Sequence, residues 1–407
     1  WQNSIFMRLF ASYSVSMLGH WFDMVAIIIL FGYVWNTDPM MIALIPVAYA
    51  LQQVLLGQFA GVLSDKFNKV KIMMIADFLT ALLTFILLFT NHPIAAIVII
   101  SLRATVNVVH TPAQQGLIKL VVIKDHIMKA VTLNGTVSQL SKIIGPLIGA
   151  TILGIVSPKI CILINAIAFT ISAFILLTIL LNKEMVNKPM IVSEQSSPVE
   201  KESFWGAWKQ GWSIAYRNNI LLVTFIATFL GMTAIQMVDF QFPVLFREIA
   251  PHLPQIAGWL MGSSGLGALT MILVLNRFTK LTKYGWLIGS SMLLMGIGFG
   301  GIGFLREGFI LAIPLVFAFI LGLGVGLLSI TSQYILQMET KPEEIGRLSG
   351  ISNSTISLTV LCSPLLGGIL VQQFGFIPVC LGAAGFLALI GLVLVTGNTL
   401  FFRKEAD

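Results

Sequence analysis

Apolar positions along this chain neither alternate nor recur as a narrow stripe; they run on for about 20 residues at a time and then break at short polar intervals. An element that is apolar on every face has no side to offer to water. At about 1.5 Å per residue such a run spans the roughly 30 Å of a bilayer's hydrocarbon core. Twelve runs are predicted as membrane helices, over 6–34, 40–64, 72–90, 94–118, 130–156, 160–182, 220–245, 255–276, 284–304, 309–336, 346–371 and 377–401. The longest polar interval, about 183–219, parts them six and six. The expected organisation is therefore a six-helix bundle over 1–182, a linker over 183–219 and a second six-helix bundle over 220–407.

Composition agrees with this pattern. Hydrophobic residues make up 57% of the 407 positions and charged residues 10%, with a mean hydropathy of +0.93, whereas a soluble domain carries about 25% charged residues. A net charge of +7 raises the question of a nucleic-acid partner, but the location of the charge answers it. With the N-terminus inside, eighteen of the 24 Lys and Arg fall in cytoplasmic loops and the C-terminal tail, and Lys159, Arg247 and Arg306 fall outside. The positive-inside rule then puts both termini in the cytoplasm, and the basic excess reports orientation. Cys161, Cys362 and Cys380 have neither paired spacing nor a nearby histidine cluster, so packing roles are expected and no metal or cofactor. Span 1 is too long for a cleavable signal peptide and is followed by more spans; the start at Trp1 implies that a few native residues are missing.

Several local patterns add to the layout. Within the linker, Trp205, Trp208, Trp212 and Tyr216 fall at helical spacing, with Lys209 and Arg217 nearby, as in an amphipathic helix lying in the inner interface. The fifth span of each half carries a proline beside small residues: Gly145-Pro146-Leu147-Ile148-Gly149 in the first and Ser363-Pro364-Leu365-Leu366-Gly367-Gly368 in the second. Such an echo marks repeat-built transporters, and the combination bends a helix while letting a neighbour come close. Between spans 2 and 3 lies a charged connector with Gly61, Asp65, Lys66, Lys69 and Lys71. There the glycine is expected to let two helix ends approach.

The connector, the proline-glycine spans and the six-plus-six layout together resemble the major facilitator superfamily over the whole chain. Its loop signature is a glycine, an acid four residues on and then basic residues; Asn68 stands where the family usually has a second glycine. A narrower similarity, to the macrolide-efflux-like branch of the drug:proton antiporters, is carried by Arg103 with His110-Thr111-Pro112-Ala113, by Asp77 after Lys71-Ile72-Met73, and by Gln337 with Lys341-Pro342-Glu343-Glu344-Ile345-Gly346-Arg347. The resemblance implies a twelve-helix all-α fold of two pseudo-symmetric bundles in a bacterial cell membrane. It also implies rocker-switch transport and a gating motif comprising Gly61, Asp65, Lys66, Lys69, Asp77, Gly145, Pro146, Gly149 and Arg347. The implied partners are a small-molecule substrate, protons and the lipid bilayer, with no nucleic acid, and the chain is expected to be monomeric. No catalytic constellation suggests an enzyme, and no nucleotide-binding motif suggests ATP.

Charges inside the bilayer cost roughly 2.5 to 3.5 kcal/mol on insertion scales, so they pair, face a cavity or function. By helix rise Asp23 in span 1 and Arg103 in span 4 lie at similar depths. They are candidates for a proton-coupling pair, since a carboxylate beside arginine is held ionised and one that loses it takes up a proton more readily; a static structural pair is the alternative. His20 shares a helix face with Asp23 and Ser16 and is either a proton relay or a hydrogen-bonding cavity residue. Lys142, in line with Asn134 and Ser138, is read as a buried amine that neutralises an acid, binds an anionic substrate group or tethers helices. Candidate substrate-binding residues are Lys142, Asn107, Asn134, Ser138, Gln236, Asp239, Gln333 and Thr355. The hydroxyls among them alternatively bond their own backbone. Asp77 is placed in a cytoplasmic gate with Asp65 and the lysines.

Two cargoes fit this reading: drugs or other amphipathic small molecules, and siderophore, metallophore or lipid-like metabolites. The connector is assigned to gating. Asp65→Asn is therefore expected to impair transport while leaving substrate affinity nearly intact, which transport rates measured beside equilibrium binding would check; a large loss of affinity would count against it.

Overall fold

In the computed structural model the residues described are 4–123, 126–181, 212–214, 216–278, 280–341, 344–398 and 402, apart from the side chains at 58, 65, 128 and 346. Twelve helical spans among them are long and apolar enough to cross a membrane, so the chain is a multi-pass membrane protein. The helices are α1 (Ser4–Ile29), α2 (Pro39–Lys66), α3 (Lys69–Leu88), α4 (Pro93–Asn107), α5 (His110–Val121), α6 (Ile127–Leu153), α7 (Pro158–Leu181), α8 (Asn219–Val238), α9 (Phe242–Ile249), α10 (Ile256–Leu275), α11 (Tyr284–Gly303), α12 (Ala312–Met338), α13 (Ile345–Phe374) and α14 (Phe376–Thr396). Each predicted span coincides with one of them or, in two cases, with a pair.

Those pairs depart from the continuous helices predicted, and proline is the cause. Pro112 has no N–H for the carbonyl of Val108, and its ring crowds that carbonyl; the fourth span accordingly breaks into α4 and α5 at residues 108 and 109. Pro243 does the same to Asp239, where a 3₁₀ turn, Asp239–Gln241, separates α8 from α9. Span 1 ends in a π-helical turn, Leu30–Val34, in which Trp35 N–H donates to the Leu30 carbonyl at 2.8 Å. Pro46, Pro146 and Pro364 are carried inside continuous helices.

The chain forms two compact units. Unit 1 holds α1, α3 to α7, α2 from Leu44 onward and the first residues of α10 as far as Trp259; unit 2 holds α8, α9, the rest of α10 and α11 to α14, together with Asp38–Ala43. In unit 1, α1 packs against α6 and α7, and α3 packs against α7, α4 and α5. Gly145 and Gly149 of α6 make room for Trp21 and Phe22 of α1, while Gly19 of α1 accommodates Ala168 and Asn165 of α7. At the end of the bundle that carries the connector lysines, here the basic end, Phe6, Leu9, Met73, Leu117 and Leu176 form a buried apolar core.

Unit 2 relies still more on small residues. Lipid tails are as apolar as leucine, so helices in a bilayer associate through close van der Waals packing rather than hydrophobic burial. Gly289 of α11 and Gly391 of α14 each face the other's carbonyl, Gly324 of α12 faces the Ser291 carbonyl of α11, and Gly322 lies directly on the Ser264 carbonyl of α10. The glycine-rich spans read from the sequence are thus the seams of this bundle.

The connector differs from its expected form. Helix α2 runs through Gly61 to Lys66, leaving Phe67 and Asn68 between it and α3, and a Cβ at Gly61 would meet nothing within 4 Å. No close approach there needs a glycine. Asn68 instead caps α3, its side chain accepting from Lys71 N–H at 3.1 Å with an ordinary φ of −62°, a role for which asparagine is well suited. Trp205, Trp208 and most of the linker lie outside the described residues; Trp212 and Tyr216 are helical, with ring centroids 5.9 Å apart.

Helix propensity alone would make glycine-to-alanine changes neutral or stabilising by up to about 1 kcal/mol. Overpacking of a tight seam costs about 1 to 3 kcal/mol. Gly322→Ala is accordingly expected to lower the thermal unfolding midpoint of the purified protein, and Gly382→Ala, where a Cβ meets nothing within 4 Å, is expected not to.

Candidate functional site

The buried face of α1 carries Ser12, Ser16, Gly19 and Asp23, spaced so that they fall on one side of a 3.6-residue helix. Arg103 of α4 meets this face. Its Nη2 donates to Asp23 Oδ2 at 2.6 Å, and both side chains are almost completely buried, at 2% and 0% exposure. The expected pair is therefore formed. It is a single-point contact: Asp23 Oδ1 and Arg103 Nε and Nη1 have no partner among the described residues. Buried polar atoms of this kind are costly when left alone, and two of them are donors on a guanidinium that also lines a cavity.

That cavity, about 470 Å³, lies within unit 1. Tyr13, Ser16, Met17 and His20 of α1, Tyr49 of α2, Arg103 and Asn107 of α4, His110 and Gln114 of α5, Asn134 and Ser138 of α6 and Phe169 of α7 all contribute to its wall. The mix of aromatic faces with a few convergent polar groups suits an amphipathic small molecule. His20 stands edge-on to Tyr49, with ring centroids 5.7 Å apart. Of the residues read from the sequence, Asp23, Arg103, His20, Asn107, Asn134 and Ser138 are thus brought together.

Lys142 is not. It is exposed on α6 and takes no part in the cavity wall, which corrects its reading as a buried amine in line with Asn134 and Ser138. Each four-residue step overshoots a full turn by about 40°, so two steps carry Lys142 about 80° away from Asn134. Gly145, eleven residues on from Asn134, drifts by only about 20° and packs on α1.

Asp77 also departs from expectation. It is completely buried and accepts a hydrogen bond from Ser172 Oγ of α7 at 2.5 Å, and Ser172 Oγ is 2.7 Å from Ser12 Oγ. His110 Nε2 lies 3.4 Å from its other oxygen. Asn107, in the cavity wall, donates to Thr80 Oγ1 at 2.7 Å one turn along α3. Lys69, two turns the other way, donates to the Ser64 carbonyl at 2.8 Å, and Lys66 is exposed. Asp77 therefore belongs to the polar interior behind the cavity. The cause is register: eight residues above Lys69, it is roughly 12 Å into the bundle. The Asp65 side chain lies outside the described residues, and Arg347 is half-buried near the start of α13.

The remaining candidates belong to unit 2 and do not line this cavity. Gln236 and Asp239 are half-buried near the break between α8 and α9, and Gln333 is exposed on α12. Thr355 Oγ1 donates to the Ile351 carbonyl at 2.9 Å, and Thr359 Oγ1 to the Ile356 carbonyl at 2.7 Å, the backbone bonding given as the alternative for such hydroxyls. Sequence reasoning passed over Ser12, Thr80, Tyr49 and Ser172. Ser12 continues the stripe of Ser16, His20 and Asp23 at helical spacing and was legible. Ser172 had a weak signal in Asn165, seven residues earlier on the same buried face of α7, and Tyr49 had only Gln52 and Gln53 one turn on.

Comparison with known proteins covers the whole chain. A sequence model of the Major Facilitator Superfamily matches residues 9–254 and 248–406. The chain is 28% identical over 396 residues to the uncharacterized MFS-type transporter YfiS of Bacillus subtilis, covering 97% of this chain and 93% of that protein. It is 23% identical over 325 residues to macrolide efflux protein A of Streptococcus pyogenes, with 78% of each covered, and 24% identical over 329 residues to the staphyloferrin A transporter of Staphylococcus aureus, with 79% of each covered. In fold it is similar to a bacterial homolog of the human lysosomal transporter Spinster, with a TM-score of 0.74 at 12% identity over all of both chains.

Removing one member of a buried ion pair leaves the other charge uncompensated and costs about 3 to 5 kcal/mol, whereas replacing both with apolar groups is far milder. Asp23→Leu and Arg103→Met are each expected to lower the unfolding midpoint strongly, and the double variant to recover most of the loss. Thermal unfolding of the three purified variants checks this, and simple additivity would show that the pair is not coupled.

Proposed function

Since the chain belongs to the Major Facilitator Superfamily, we propose that it is a proton-coupled exporter of amphipathic small molecules, acting as a monomer in the cytoplasmic membrane with both termini inside. The basic ends of the helices then face the cytoplasm, as the positive-inside rule requires. The two bundles, 1–182 and 220–407, would alternate access to a central substrate site, joined by the linker over 183–219. A transporter, not an enzyme, is what the family and its relatives are.

The observation that carries this reading is the buried Asp23–Arg103 pair at a polar cavity. The single bond at 2.6 Å leaves Arg103 Nε and Nη1 without partners among the described residues, and Arg103 borders the cavity, so a guanidinium released by Asp23 can turn to a substrate acceptor there. A proton on Asp23 cancels the charge that holds Arg103. Arginine keeps its own charge throughout and is then free to take another acceptor. The Asp23 carboxylate and a substrate acceptor would compete for one guanidinium, so protonation of Asp23 and occupancy of Arg103 are linked, and such a linkage is what proton coupling needs. Each elementary charge moving down the membrane potential supplies about 2.3 kcal/mol per 100 mV.

A second reading keeps the coupling and changes the cargo to a carboxylate-bearing siderophore or related metabolite. Its support is the staphyloferrin A transporter among the relatives and the anion-ready donors of Arg103. Lys142, exposed on α6, contributes to this reading only if substrate reaches it outside the cavity.

In proteoliposomes carrying an internal pH dye, addition of a macrolide, a cationic dye or a carboxylate siderophore is expected to evoke proton movement for at least one class. Asp23→Asn is expected to abolish it, and Lys142→Ala, outside the cavity wall, to leave it in place. Absence of flux across the whole panel would overturn the antiport reading.

A further inference from the structure

Asp77 of α3 is the second carboxylate of unit 1 that is completely buried, and the pair at Asp23 does not use it. Its Oδ2 is held by Ser172, which is itself linked to Ser12. Among the described residues its Oδ1 has no hydrogen bond, and 3.4 Å away stands His110 Nε2, which also has none. His110 is 9% exposed and belongs to the cavity wall. Two orphaned polar atoms thus face one another, one on a buried acid and the other on a ring that reaches the cavity.

The surroundings offer Asp77 little else. Helix α7 presents Ser172, its titratable groups Lys159 and Cys161 lying at the far end; α4 carries Arg103, already bound to Asp23; α5 carries His110 and, near the basic end, Lys119. Helix α1, reached through Ser12, carries Arg8, Tyr13, His20 and Asp23, and Lys69 on α3 itself donates to Ser64. A buried carboxylate is expensive unless paired or protonated. One proton between Oδ1 and Nε2 would satisfy both atoms, whether it resides on the imidazole beside the carboxylate or on the acid beside the neutral ring.

We propose that Asp77 and His110 form a second proton-binding site, separate from Asp23 and Arg103 and nearer the basic end. By helix rise Asp77 lies roughly 12 Å from the start of α3, whereas Asp23 lies roughly 28 Å from the start of α1. The two acids are therefore staggered along the membrane normal, with Asp77 and His110 beside the cavity on its basic side. The role in transport rests on the proton-coupled reading above; the existence of the site does not.

The test is infrared titration of the carboxyl stretch of the full chain in lipid nanodiscs between about pH 4 and 9. Asp77→Asn is expected to delete one protonation step, and His110→Gln to move that step by about one pH unit or more, each leaving the Asp23 step in place. Ser172→Ala keeps both titratable groups and is expected to shift the frequency of the Asp77 band, so the test stands even if the charge variants fail to fold. The site is overturned if Asp77→Asn removes no step, if His110→Gln leaves the midpoint unmoved, or if Ser172→Ala leaves every band unshifted. Asp23→Asn should leave the Asp77 step intact, and loss of both steps together would refute two separate sites. Failure of proton flux in proteoliposomes with both steps present would refute the transport reading alone.

Discussion

An arginine buried among hydrocarbon helices has to be answered by a carboxylate, and much of unit 1 follows from how that demand is met. Arg103 reaches Asp23 across from α4, while Gly19, Gly145 and Gly149 remove side chains where α1 crosses α7 and α6 and so fix the helix that carries the acid. The pair leaves donors of the guanidinium unmatched and lines one wall of the cavity with charge. Packing and chemistry are thus one problem in this bundle. A change at a glycine seam would move the helix that carries the acid.

The two units solve the problem of association in a bilayer in different proportions. Unit 1 combines a few glycine crossings with buried polar links, such as Ser12 to Ser172 and Asn107 to Thr80, at 2.7 Å each. Unit 2 depends on backbone-to-backbone contact, with glycines of α10, α11, α12 and α14 lying against facing carbonyls. Where hydrophobic burial gives no net drive, either route supplies close contact. The polar route also places hydroxyls beside Asp77.

Much of the fold was legible in the sequence because membrane length and uninterrupted apolarity leave few alternatives. The breaks at Val108 and Asp239 were legible too, from Pro112 and Pro243 four residues on, although the spans were read as continuous. Asp23 with Arg103 could be paired by depth alone, since both are charges that must be neutralised in the same layer. Asp77 failed on depth, having been placed too near the basic end, and Lys142 failed on rotation. Depth says how far along a helix a residue sits, whereas rotation decides what it faces, and a drift of about 40° per four residues is enough to turn a side chain out of a cavity. For Ser172 the only pointer was Asn165 two turns earlier on the same face, and a single polar neighbour does not separate an inward position from a hydroxyl bonded to its own backbone.

The interruption in the fourth span sets the mechanics of this half of the molecule. Arg103 stands one turn before the end of one rod and His110 begins the next, with the bond to the Val108 carbonyl that would have stiffened the joint forbidden by Pro112. An unbroken helix would oblige both residues to turn together, so that disturbing one acid would disturb the other. Articulated as it is, the span does not oblige the guanidinium and the imidazole to turn as one body, and strain at one of the two buried carboxylates need not reach the other.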